Sequence, residues 1–125
     1  MTDTAPQIGY AVRAGDPRPS ALEKQLDTAE TKPVDLVELP IFELALMIDG
    51  RIQRGVLDDL KNVCGGRALS YSIHAPIAIN LMDHPGRTAL HLDVMKASIE
   101  ITAELGARHM VMHTGICENG SRAEI

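Results

Sequence analysis

The chain has 125 residues, 45% of them hydrophobic and 23% charged, with a formal net charge of −5. That length supports one domain with a real core, and with one Phe, two Tyr and no Trp the core must be aliphatic. The acidic balance and the lack of any window rich in Lys and Arg disfavour a nucleic-acid partner, and no apolar run approaches membrane-spanning length. Cys64 and Cys117 form no CxxC motif and read as free thiols of a reducing compartment. The first residues lack the basic, then apolar, pattern of a secretory leader, so a cytoplasmic protein is expected.

Residues 8–12 read as the first strand, followed by a loop rich in Gly and Pro over 13–19. Ser20 opens a predicted helix through a capping box, its side chain taking the amide of Glu23 while Glu23 reaches back. Leu22, Leu26 and Ala29 share one face of that helix, and Lys32-Pro33 ends it. Residues 34–39 form the second strand, stopped by Pro40. Phe42, Leu44 and Leu46 make 41–48 a packed connector rather than a solvated linker. Asp49-Gly50 is turn chemistry and a candidate opening for the second helix. In that helix Ile52, Val56, Leu57, Leu60 and Val63 recur at helical spacing. Gly65-Gly66 stops it, because glycine tolerates the left-handed conformation of a helix end.

The third strand is 68–74, and the loop 75–83 carries Asn80-Leu81. Pro85 suits the first turn of the third helix, where its missing N–H costs nothing. Leu90, Val94, Ala97, Ile101 and Leu105 form that helix's predicted buried stripe, and Gly106 ends it. Residues 109–113 are the fourth strand, with Met110 and Met112 filling the core on the helix side. Strands and helices alternate throughout, and the strands are apolar enough to be covered on both faces. This predicts an α/β fold, one domain over 1–125, with a parallel sheet and right-handed crossovers. A second S-x-x-E box at 121–124 announces a fourth helix just before the sequence stops. A single turn cannot hold itself in water. A truncated chain is therefore expected: four strands, three helices and the start of a fourth.

Strand alternation sorts the side chains that carry chemistry. Val34, Leu36 and Glu38 share a face, as do Ser70, Ser72 and His74, and again His109, Val111 and His113. Each of these strands thus ends in an ionisable group, one βα repeat apart. Parallel strands of a barrel deliver such groups to one place at their C-terminal ends. Neutral imidazoles there can bind a divalent metal, or hydrogen-bond sugar hydroxyls and shuttle protons. Glu38 reads either as an inward base or ligand, or as the rim partner of a cation such as Arg13. Asn80 reads as a substrate contact from its loop or as a turn residue. His84 and His91 are expected to be solvated and His109 packed, with Cys117 a bystander near the mouth.

At these residues the chain resembles the xylose-isomerase-like TIM-barrel superfamily. That group holds sugar and sugar-phosphate isomerases and epimerases together with the family 2 apurinic endonucleases. The resembling pieces are Val37-Glu38-Leu39, Ile73-His74-Ala75-Pro76 with Asn80-Leu81, and Leu105-Gly106-Ala107 leading to Val111-Met112-His113-Thr114-Gly115. The family commonly has proline where this chain has Thr114. The likeness runs from Ile8 onward and covers the first half of a family domain, since a complete barrel takes about 250 residues.

The resemblance implies the first half of a (β/α)8 TIM barrel, with a divalent metal (Mn, Mg, Co or Zn) at the strand C-termini of the complete protein. In the endonuclease branch the histidines matching His74 and His113 are zinc ligands. In the isomerase and epimerase branch they line the sugar pocket, and the main metal ligands come from the later strands. The expected function is that of a sugar or sugar-phosphate isomerase or epimerase, working by metal-assisted proton transfer beside a carbonyl. Glu38, His74, Asn80 and His113 would contact the substrate, with His74 and His113 also candidate metal ligands. One alternative is a zinc-dependent nuclease acting on abasic DNA. Another is a non-catalytic half-barrel or inert fragment that pairs with a second copy or with a separate C-terminal half. These 125 residues alone are expected to be inactive.

Overall fold

A computed structural model describes residues 6–113 together with Gly115 and Ile116. The elements run β1 (Gly9–Ala11), a 3-10 turn (Pro19–Leu22), α1 (Glu23–Glu30), β2 (Leu36–Pro40) and a second 3-10 turn (Ile41–Glu43). They continue with β3 (Met47–Ile48), β4 (Arg51–Ile52), α2 (Arg54–Cys64), β5 (Ser70–His74), α3 (Pro85–Glu104) and β6 (Met110–Val111). β1, β2, β5 and β6 form one parallel sheet in that order, and β3 and β4 form a separate antiparallel hairpin. The chain is an α/β protein whose main strands lie side by side in the order in which they are made.

Strand alternation decides which side of the sheet is covered. Val37 and Leu39 of β2 and Tyr71 and Ile73 of β5 point the same way. They join Leu22, Leu26 and Ala29 at α1, Leu57, Leu60, Val63 and Cys64 of α2, and Ile101 of α3 in one buried cluster. All three helices therefore cover a single face. Each fully buried Leu or Ile there contributes about 1.5–3 kcal/mol relative to exposure. The opposite face carries Gly9, Ala11, Leu36, Glu38, Ser70, Ser72, His74 and Val111 by register. Val111 is 47% exposed there. The expectation that both faces are covered does not hold among the described residues, because every crossover helix returns on the same side.

Local chemistry moves two predicted boundaries and one buried stripe. Asp16 accepts the Arg18 amide at 2.8 Å and pairs with its guanidinium at 3.0 Å, so the chain is already turning at Pro19. Proline at the first position starts a 3-10 turn, Ser20 falls inside it, no side-chain cap forms, and α1 begins only at Glu23. Asp49-Gly50 does not open the second helix. Both residues take positive φ, 52° and 75°, as a two-residue turn joining β3 to β4 requires, and α2 starts at Arg54. In α3 the buried stripe is Ala97, Ser98, Ile101 and Thr102, while Leu90 is 49% exposed near the helix start.

The limits of α3 follow the sequence. Pro85 occupies the first turn of α3. At the far end the Gly106 amide donates to Ala103 and the Ala107 amide to Thr102, with Gly106 at φ 72°. This is the Schellman closure that glycine permits. No helix is long and apolar enough to cross a membrane among the described residues.

Candidate functional site

β5 and β6 bring two histidines together. His74 ends β5, half-buried, with Nδ1 3.0 Å from the carbonyl of Ala75. A carbonyl only accepts, so Nδ1 carries the proton and Nε2 presents a lone pair. The ring of Phe42 meets His74 edge-on, with centroids 4.9 Å apart. His113, exposed just beyond β6, turns its own Nε2 to within 3.4 Å of His74 Nε2, the rings inclined at 61°. Two such nitrogens either share one proton or converge on one cation. Two imidazoles bound to a single tetrahedral ion at about 2.0–2.1 Å would hold their nitrogens about 3.3–3.4 Å apart, so the pair fits a divalent metal. Among the described residues no cluster of three His, Cys, Asp or Glu side chains completes such a centre.

Glu38 lies on the same face of β2, half-buried and in register with Ser72 of β5. Arg13 is not its partner. The Arg13 guanidinium pairs with Glu43, whose second oxygen accepts the amides of Ala14 (2.8 Å) and Gly15 (3.1 Å). Burial alone would raise the Glu43 pKa, but the two amides and Arg13 outweigh it and hold the carboxyl below its ordinary value. Gln25 adds bonds to the backbone of Arg13 in both directions. The loop after β1 is thereby tied to the connector after β2, at the same end of the sheet as the histidines. Sequence patterns had no means of pairing these two loops.

Asn80 joins the loop after β5 to the segment after β6. Its Oδ1 accepts the amides of Ile116 and Met82, both at 3.0 Å, and its Nδ2 donates to the Ile116 carbonyl at 2.9 Å. Its backbone N–H donates to His91 Nδ1 at 3.1 Å. His91 must therefore carry its proton on Nε2, which lies 2.8 Å from Asp83 Oδ2. The hydrogen bond from His91, the amide of His84 and the nearby Arg87 hold the Asp83 carboxyl below its ordinary range. His91 was expected on a solvated surface and is half-buried instead, because the loop before α3 folds back and sets Asp83 against it.

His84 is exposed, as expected, and its Nδ1 caps α3 by accepting the Gly86 amide at 3.0 Å. His109 was expected to be packed but is exposed, although its carbonyl accepts the Ile73 amide of β5 at 2.9 Å. It lines a cavity of about 580 Å³ at the other end of the sheet, with Gln7, Ser70, Arg67 and Arg108. Cys64 is a buried free thiol. Thr114, Cys117 and the 121–124 box lie outside the described residues. No protein-family model matches this chain, and no curated protein matches it.

Proposed function

We propose that this chain is the first half of a (β/α)8 barrel of a sugar or sugar-phosphate isomerase or epimerase, with His74 and His113 forming one wall of its site. The observation that carries the reading is the 3.4 Å approach of the two Nε2 atoms at the C-terminal ends of parallel strands. The sequential strand order and the helices on one face support it, since a sheet wound one way curls toward closure rather than growing in two directions. A divalent ion (Mn, Mg, Co or Zn) bound there would supply polarisation of a carbonyl oxygen. His74 is suited to ligation because Ala75 fixes its tautomer. His113 is exposed enough to meet a sugar hydroxyl as well. Glu38 is the carboxylate of the same face that can accept a proton or a hydroxyl hydrogen bond. Asn80 retains one amide hydrogen for a substrate, the rest of its side chain being engaged with Met82 and Ile116.

A second reading draws on the same spacing. Two nitrogens at the separation of zinc ligands also suit a zinc nuclease acting on abasic DNA, but the net charge of −5 opposes binding to a polyanion. The open edges of β1 and β6 are where a second copy or a separate C-terminal half would pair if the chain serves as a half-barrel subunit.

The test is titration with Mn²⁺ and Zn²⁺, followed by solvent-deuterium incorporation beside the carbonyl of aldoses, ketoses and their phosphates once the second half of a barrel is supplied. Metal-dependent incorporation that His113→Ala removes is the expected outcome. Zinc-dependent cleavage of abasic DNA without any incorporation would replace this reading with the nuclease.

A further inference from the structure

We propose that Asn80 is a positioning residue that, braced by His91 and Asp83, holds His113 against His74. The proposal rests on reading the histidine pair as a metal-binding wall. His74 needs no such help, because β5 fixes it between two strands, opposite Pro40 of β2 and Val111 of β6. His113 is placed differently. β6 is an edge strand of two residues, and its last ladder bond is the Ala75 amide to the Val111 carbonyl at 2.9 Å. Beyond that point, among the described residues, the backbone is held through Ile116, whose N–H and C=O are both bonded by the Asn80 side chain. One primary amide thus acts as a further rung of the sheet, donating and accepting as a strand backbone would.

Two features show that this rung is built into the fold. Gly115 has φ 104°, and a Cβ there would lie 2.0 Å from Asn80 Oδ1, so only glycine lets the amide close on Ile116. Asn80 is also anchored from behind. Its Oδ1 takes the Met82 amide, its carbonyl takes the Asp83 amide at 3.2 Å, and its own N–H is received by His91. His91 stands on α3, a twenty-residue helix, and its ring is set by Asp83. A long helix is therefore bonded through His91 and Asn80 to Ile116, three residues along the chain from His113. Partners of this kind, one step behind the ligands, commonly change metal affinity by about 10–100-fold when removed.

The experiment follows the histidine ring signals by NMR during zinc titration of the chain and its variants. In the unmutated protein the rings of His74 and His113 should show a mutual nuclear Overhauser effect, and the Ile116 amide should exchange slowly. Asn80→Ala should abolish that effect, speed Ile116 exchange and weaken zinc binding by about tenfold or more, with the His74 Nδ1–H signal and the core melting transition unchanged. Gly115→Ala attacks the same contact from the other side and should reproduce the loss.

Affinity within twofold of the unmutated protein in both variants, with the ring-to-ring effect intact, would overturn the proposal. If the unmutated chain shows no zinc binding that His74→Ala removes, the metal reading fails instead. The ring-to-ring effect and Ile116 exchange in Asn80→Ala then still decide whether Asn80 positions His113.

Discussion

Raising the pH should loosen the fold through Cys64. This thiol sits in the last turn of α2, buried against the sheet, and its own carbonyl accepts the Tyr71 hydroxyl at 2.9 Å. Burial pushes the thiol from its ordinary 9.0 to about 11, against smaller opposing effects of Tyr71 and Arg67. The folded state thus holds the proton more tightly than the unfolded chain. The resulting stability is fully present below pH 9 and is lost as the pH rises toward 11, where the folded form must bury a thiolate. A rise of that size corresponds to about 3 kcal/mol across the window. Burial pushes Tyr71 higher still, so its phenol stays protonated meanwhile.

The assay is urea denaturation from pH 7 to 11 in a Cys117→Ser background, with Cys64→Ala as reference. Subtracting the reference removes every other titrating group. The stability advantage of Cys64 over alanine should hold steady to about pH 9 and fall by about 2 kcal/mol by pH 11. A difference that stays flat over the whole range would show that the thiol titrates as an ordinary one and that the burial argument is wrong.

Leu57→Ala, at a fully buried position under the sheet, should cost about 2–5 kcal/mol in the same denaturation assay. Gly50→Ala should cost about 1–3 kcal/mol, because φ is 75° and the new Cβ would meet the Asp93 Cβ at 2.9 Å. Arg67→Ala should lower the urea midpoint clearly, since this largely buried guanidinium closes the end of α2 at the Val63 carbonyl (2.7 Å) and bridges to Asp27 and Glu30 of α1. Arg54→Ala should barely move the midpoint, because its pairs with Glu100 and Glu104 are half in water and screened by salt.

What the sequence made legible was what depends on neighbours along the chain. Alternation placed Val37, Leu39 and Ile73 on one face and Glu38, Ser72 and His74 on the other, and the register bears this out. Pro85 and Gly106 marked the limits of α3 because their effects are confined to their own turns. The hairpin of β3 and β4 was hidden because two-residue strands carry no period, although Asp49-Gly50 was its signal. The Asp83–His91–Asn80–Ile116 chain was invisible for a different reason. It depends on where the loop after β5, helix α3 and the segment after β6 meet, and no spacing within one element encodes that meeting. The ring of Phe42 against His74 belongs to the same class.

The composition of the uncovered face bears on what it is for. A face meant for water would carry Lys, Glu and Thr, and one meant to lie under a helix would carry Leu and Ile, as Val37, Leu39 and Ile73 do on the other side. Leu36 and Val111 share this face, but Gly9, Ala11, Ser70 and Ser72 beside them are neither. They are too small to form a core by themselves and offer little hydrogen-bonding reach toward solvent. Such residues suit a surface met at close range by side chains from opposing strands, where a ring of strands narrows the space available to each. His74 and His113 stand at the C-terminal end of that surface, with Glu38 level with Ala11 and Ser72. Under the proposed half-barrel reading the small residues and the histidines would form one arrangement: the first would permit closure, and closure would concentrate the second.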